Sequence, residues 1–177
     1  MSSLDQRPRR TALLALALMP TLMLGGCFRP MYATPADGGP ALTEKLAAIS
    51  VDLTDSRVGQ QVRNNLTFGL TGGSGPAAPR YNLHLRVVST LDTAIVNSRV
   101  NTPEIDVVIL SGTYTLTPAE GSNLVLLEGK VYARKSYDRG LQRFAAVRAG
   151  RDAENAAATV LADQIKTRLA IFLTNHP

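Results

Sequence analysis

The spacing of apolar positions changes period along the chain, and each change marks an element. LAAISVDL (46–53) predicts a short strand. From Arg57, the stretch RVGQQVRNNLTFGL places Val58, Val62, Leu66 and Leu70 four apart, which is one face of a helix. Asp55 or Ser56 supplies its N-cap, and TGGSGPAAP (71–79) then forms a loop. In YNLHLRVVSTLDTAIV the period falls to two. Tyr81, Leu83, Leu85, Val87, Leu91 and Ile95 share one parity, and Asn82, His84, Arg86, Thr90 and Asp92 the other. This predicts one long strand, or a strand bent near Ser89 and Thr90. EIDVVILSGTYTLTP (104–118) is a second strand rich in β-branched residues, Pro118 to Gly121 is a turn, and NLVLLEGKVYARKSYD (123–138) is the third strand.

From Arg151 the period returns to that of a helix. Ala157, Leu161, Ile165, Leu169 and Phe172 form a stripe that Val160 and Leu173 widen, with Asp152, Thr159, Asp163 and Lys166 opposite. Glu154 interrupts the pattern, and a carboxylate suits the first turn in which this reading places it. Alternating strands need one covered face, and two amphipathic helices can supply the cover. The expected fold is therefore an α/β two-layer sandwich. Its small, mainly antiparallel sheet carries two helices on one face, in the order β-α-β-β-β-α.

Composition narrows the class. The chain has 177 residues, 45% hydrophobic, 5% aromatic, no Trp and a formal charge of +5, as befits one domain rather than a disordered tail or a polytopic membrane protein. Its N-terminus has the build of a secretory signal. Arg7, Arg9 and Arg10 precede the apolar run Thr11 to Leu24, which is too short for a stable span and ends on Gly25 and Gly26. Residues 28–41, FRPMYATPADGGPA, contain Pro30, Pro35 and Pro40 and predict an extended connector. The expected organisation is a signal peptide at 1–26, a tether at 27–41 and a single α/β domain at 42–177. Loss of the leader removes three cations and one anion, so the mature chain is only mildly basic at +3. Nucleic acid is not an expected partner.

The only cysteine, Cys27, cannot form an internal disulfide, a CxxC redox pair or a zinc site. His84 and His176 lack the spacing of a metal pair. Asp52 with Asp55, and Glu104 with Asp106, are read as solvated turn and strand residues. Ser111 and Ser136 have no identifiable base, and no GxSxG elbow occurs. No catalytic set, metal or cofactor is expected, and an enzyme is disfavoured. One basic cluster is a candidate contact for anionic ligands: Arg134, Lys135, Arg139 and Arg143, interleaved with Tyr132, Tyr137 and Phe144. Arginine can grip a phosphate through two parallel hydrogen bonds. The same run can equally be a solvated strand end.

Leu24-Gly25-Gly26-Cys27 resembles the lipobox of bacterial lipoproteins. That resemblance implies acylation of Cys27, cleavage before it, and durable membrane attachment through several chains. Phe28, where an inner-membrane retention signal would have Asp, implies sorting to the outer membrane. Cys27-Phe28-Arg29-Pro30-Met31-Tyr32 also resembles the CGFRPLY opening of the alphaproteobacterial LptE family of lipopolysaccharide-assembly lipoproteins, without its glycine and with Met31 for Leu. The tail is similar too, in Ser136-Tyr137, Arg151-Asp152-Ala153, Leu161-Ala162-Asp163-Gln164-Ile165 and Arg168-Leu169. The resemblance implies a lipid-anchored, periplasm-facing protein in the lumen of an outer-membrane β-barrel (an LptD-like partner). Such a protein supports assembly of the barrel and helps deliver lipopolysaccharide to the outer leaflet, without catalysis. An auxiliary lipoprotein of an ABC-type envelope lipid transporter remains the alternative.

Overall fold

The computed structural model describes residues 41–73, 78–97, 102–122 and 124–176. The signal segment, Cys27 and the tether up to residue 40 lie outside the described residues. The elements are α1 (Leu42–Ala47), β1 (Ile49–Val51), α2 (Arg57–Thr71), β2 (Tyr81–Asn97), β3 (Thr102–Pro118), β4 (Leu127–Asp138) and α3 (Arg143–Asn175). The strands form one sheet in the order β1-β2-β3-β4. β1 is parallel to β2, and the other pairs are antiparallel. This is the expected two-layer α/β sandwich, with one helix more than the pattern predicted.

The extra helix is α1. It has six residues, and its burial rests on Leu42 and Leu46, one turn apart. Two apolar positions make no period, so the pattern showed only the strand behind it. That strand is shorter than predicted, 49–51 within 46–53. Helix α2 runs as expected. Ser56 caps it by accepting from the Gly59 amide, and Gly72 ends it at φ 64, a conformation that favours glycine. Val58, Val62, Leu66 and Leu70 are buried, as their spacing requires.

The meander is long. β2 and β3 have 17 residues each and pair along almost their full length. The irregularity in β2 falls between Thr93 and Ile95 rather than near Ser89. One face of the sheet meets the helices through Leu83, Leu85, Val108, Leu110, Tyr114, Leu116, Val131 and Ala133, all buried. His84, Arg86, Lys130 and Arg134 have the other parity and are exposed.

Helix α3 differs most from expectation. It spans 33 residues and starts at Arg143, eight residues before the predicted start. Its stripe is buried where predicted, at Ala157, Leu161, Ile165 and Leu169, with Leu173 rather than Phe172 closing it. Phe172 is half-buried against the core and also stacks on His176, with ring centroids 4.4 Å apart. Glu154 does not sit in the first turn. It lies three turns in, where it pairs with Arg57 of α2 and accepts from Ser89 Oγ at 3.4 Å. No helix among the described residues is long and apolar enough to cross a membrane.

Candidate functional site

The sheet divides at the level of Ser89 in β2, Leu110 in β3 and Ala133 in β4, which are paired across the strands. The proximal half, toward β1, is sealed by aliphatic side chains. The distal half, toward the β2–β3 connection, keeps the same helix-facing parity but fills it with Leu91, Thr93, Asp106, Lys135 and Tyr137. The early turns of α3 cover it.

Asp106 is the only charged residue in the buried set, at 1% exposure among the described residues. The sequence pattern makes it a solvated carboxylate, and the structure corrects this. Its Oδ1 accepts from Thr93 Oγ1 at 3.1 Å and its Oδ2 from the Tyr137 hydroxyl at 3.2 Å. Arg139 Nη1 lies 3.5 Å from Oδ2 and is half exposed. A carboxylate held by two hydroxyls and a cation can remain in a dry place. Burial raises the Tyr137 pKa above the usual tyrosine value, and the negative charge of Asp106 and its hydrogen bond raise it further. Tyr137 reaches this position because α3 offers a glycine there. A Cβ on Gly150 would stand 3.2 Å from the Tyr137 ring and hydroxyl.

Strand alternation could have found Asp106. Asp106, Val108, Leu110, Tyr114 and Leu116 share one parity of β3, but Ile105, Val107 and Ile109 are apolar on the other, so composition alone did not say which face is buried.

The structure separates the basic cluster. Arg134 and Lys135 are neighbours on β4 and so face opposite sides of the sheet: Arg134 the open face, Lys135 the helix side. Arg139 belongs to the Asp106 group, and Arg143 opens α3. Arg139 and Arg143 meet in a hollow of about 380 Å³ lined also by Leu91, Asp106, Tyr137 and Val147. Leu141, Phe144 and Val147 beside it are largely exposed. The hollow therefore joins Arg143, and Arg139 with its Asp106 partner, to an apolar rim, an arrangement that can hold an anion with an apolar substituent. A larger hollow, of about 530 Å³, lies at the other end between α1 and α2, away from this group.

His84 stands on the open face as its parity predicted. Its Nδ1 meets Asp52, and its Nε2 lies 3.3 Å from Thr117 Oγ1. The row links the residue that follows β1 to β2 and β3 on the open face and ties the short edge strand to the meander. Asp55 is exposed and lies outside that row, and the side chain of Glu104 lies outside the described part of the structure. Among the described residues no group of three or more His, Cys, Asp or Glu side chains is placed to hold a metal ion.

No family model matches the chain, and no curated protein matches its sequence. Solved structures do match its fold. A candidate lipoprotein from Caulobacter crescentus CB15 superposes with a TM-score of 0.62 at 20% identity, over 75% of this chain and 96% of that one. The rare lipoprotein B from Shewanella oneidensis superposes with a TM-score of 0.54 at 15% identity, over 72% of this chain and 95% of that one. At these identities the likeness is one of fold: the chain has the α/β fold of these two proteins over nearly their whole length.

Proposed function

We propose that the chain is a lipoprotein, anchored through acylated Cys27 in the outer membrane. In this reading it occupies the lumen of a lipopolysaccharide-translocating β-barrel, supports assembly of that barrel and helps pass lipopolysaccharide outward. The observation that carries the reading is a conjunction. A lipobox-like Leu24-Gly25-Gly26-Cys27 closes a signal segment, and it precedes a domain with the fold of rare lipoprotein B, a name also used for LptE. Polar sheet surfaces such as the His84, Arg86 and Lys130 face suit a barrel lumen, which is lined by polar residues. Arg139 and Arg143, with the apolar rim of their hollow, are the groups best arranged for a phosphate that carries acyl chains, and Arg134 and Lys135 flank them on either face.

Co-purification of the full chain from envelopes tests this. A stoichiometric, heat-modifiable barrel is the expected companion. An ATPase complex would favour the transporter auxiliary instead, and turnover by the protein alone would favour an enzyme. Cys27→Ala is expected to abolish palmitate labelling and leave the protein unprocessed or mislocalised, and labelling that survives the change would remove the anchor.

A further inference from the structure

We infer that the distal edge of β4 is a self-pairing surface, on which a second copy of this chain adds its own β4 antiparallel about Ser136. β4 is an edge strand, so every second residue turns its backbone groups away from β3. The parity is visible in what those groups meet. The carbonyls of Lys130 and Tyr132 accept from α3 side chains, Arg168 Nη1 and Gln164 Nε2, each at 3.2 Å. Helix α3 therefore caps the proximal part of this edge. The same parity continues through Arg134, Ser136 and Asp138, all exposed, and α3 does not cap them.

Those residues are complementary in charge to their own reverse. A two-fold centred on Ser136 sets Ser136 opposite its own copy, and Arg134 of each copy opposite Asp138 of the other. All of these positions turn backbone groups outward, so they form hydrogen-bonded pairs, and each ion pair lies on the open face. Centring on Arg134 instead would put like charges opposite each other and would use the Tyr132 carbonyl that Gln164 already holds. The ladder also ends cleanly. The chain turns at Gly140, φ 53, whose amide bonds Asp138 Oδ1 at 2.8 Å. Beyond the turn the exposed Leu141 and Phe144 fall beside the stretch of the other copy that Gln164 and Arg168 overhang.

On the opposite edge the equivalent pairing, about Ser89, is blocked. β2 is uncovered beyond Leu83, where its pairing with the three-residue β1 ends. A two-fold on Ser89 would again oppose Arg86 and Asp92, but it would drive residues 95–97 of one copy into β1 of the other. Self-pairing is assigned to β4, whose outward positions beyond Tyr132 carry the complementary charges. It does not depend on the barrel reading.

Disulfide trapping tests it in the full chain, where Cys27 is the only natural cysteine. Facing residues in a hydrogen-bonded antiparallel pair have Cα atoms about 5.5 Å apart, within the disulfide range of about 4.4–6.8 Å. Ser136→Cys is expected to give a disulfide-linked dimer on mild oxidation, while the unsubstituted chain and Lys130→Cys do not. Adding Arg134→Asp to Ser136→Cys should lower the yield about tenfold through like charges in both pairs, and adding Asp138→Arg as well should restore it. Circular dichroism on each variant checks that the fold persists. Absence of the dimer in a folded Ser136→Cys chain, equal trapping through Lys130→Cys, or indifference to charge reversal would overturn the proposal. So would a trapped adduct in intact envelopes that contains a different protein instead of a second copy.

Discussion

The two halves of the sheet are continuous in backbone and unlike in what they bury. Around Leu83, Leu116 and Val131 the helix face of the sheet closes on Leu161, Ile165 and Leu169, and these side chains are essentially inaccessible. Around Thr93, Asp106 and Tyr137 the same face is held by a buried carboxylate and its donors, under helical turns whose Phe144 and Val147 remain in water. The proximal half is stabilised by area removed from water, which is non-directional and cooperative. The distal half is held by a few directional contacts, and such contacts let a region open by itself. What the contrast teaches is that one continuous sheet can be closed by aliphatic area in one half and by a small polar group in the other.

The largest expected effect breaks the proximal half. Leu161→Asp or Leu169→Asp would bury an unpaired carboxylate and cost on the order of several kcal/mol. Thr159→Asp, on the exposed side of the same helix, should cost within about 0.5 kcal/mol. Denaturant titration of the three variants checks the ranking, and equal tolerance would mean that the buried stripe is misplaced.

A smaller effect belongs to the distal half. Asp106→Ala removes the acceptor for Thr93 and Tyr137, and the expected cost is about 1–3 kcal/mol. Loss of Arg139's partner adds little, since Arg139 is half exposed and water replaces the carboxylate. Hydrogen exchange should quicken in 102–108 and 134–150 while the amides of Leu83, Leu116 and Leu161 keep their protection. Uniform loss of protection would show that the halves unfold together.

The smallest effect sharpens the comparison through pH. Folding favours the neutral form of Tyr137, so its contribution is complete below the ordinary tyrosine pKa of about 10 and is lost as pH rises through the higher folded value. Stability of the natural chain should therefore fall as pH rises beyond about 10, and Tyr137→Phe should start lower but lose part of that slope. An unchanged slope would leave Tyr137 outside the pH response.

The proximal half was also the legible one. Val58 to Leu70, the odd positions of β2 and the Ala157 to Leu169 stripe are periodic because each repeats one physical requirement, burial on a single face. The distal half has no such repetition. Asp106 looks like any strand carboxylate until pairing places it beside Val108, and its partners Thr93 and Tyr137 lie 13 and 31 residues away. The first turns of α3 stayed hidden because no apolar residue larger than alanine follows Phe144 and Val147 until Val160, so they begin no stripe. Arg134 and Lys135 look like one basic patch in sequence, and only the pleat assigns them to opposite faces.

Helix α3 gives the molecule a ruler. Lys45 of α1 donates to the Leu173 carbonyl, so the chain enters the domain beside one end of that helix. The Asp106 group and the Arg143 turn stand at the other end. At 1.5 Å per residue, Arg143 and Leu173 are about 45 Å apart. The domain thus carries its polar end about that far from the point where the chain enters it. A change in the number of helical residues between these points would reset the working distance by about 5.4 Å for each turn.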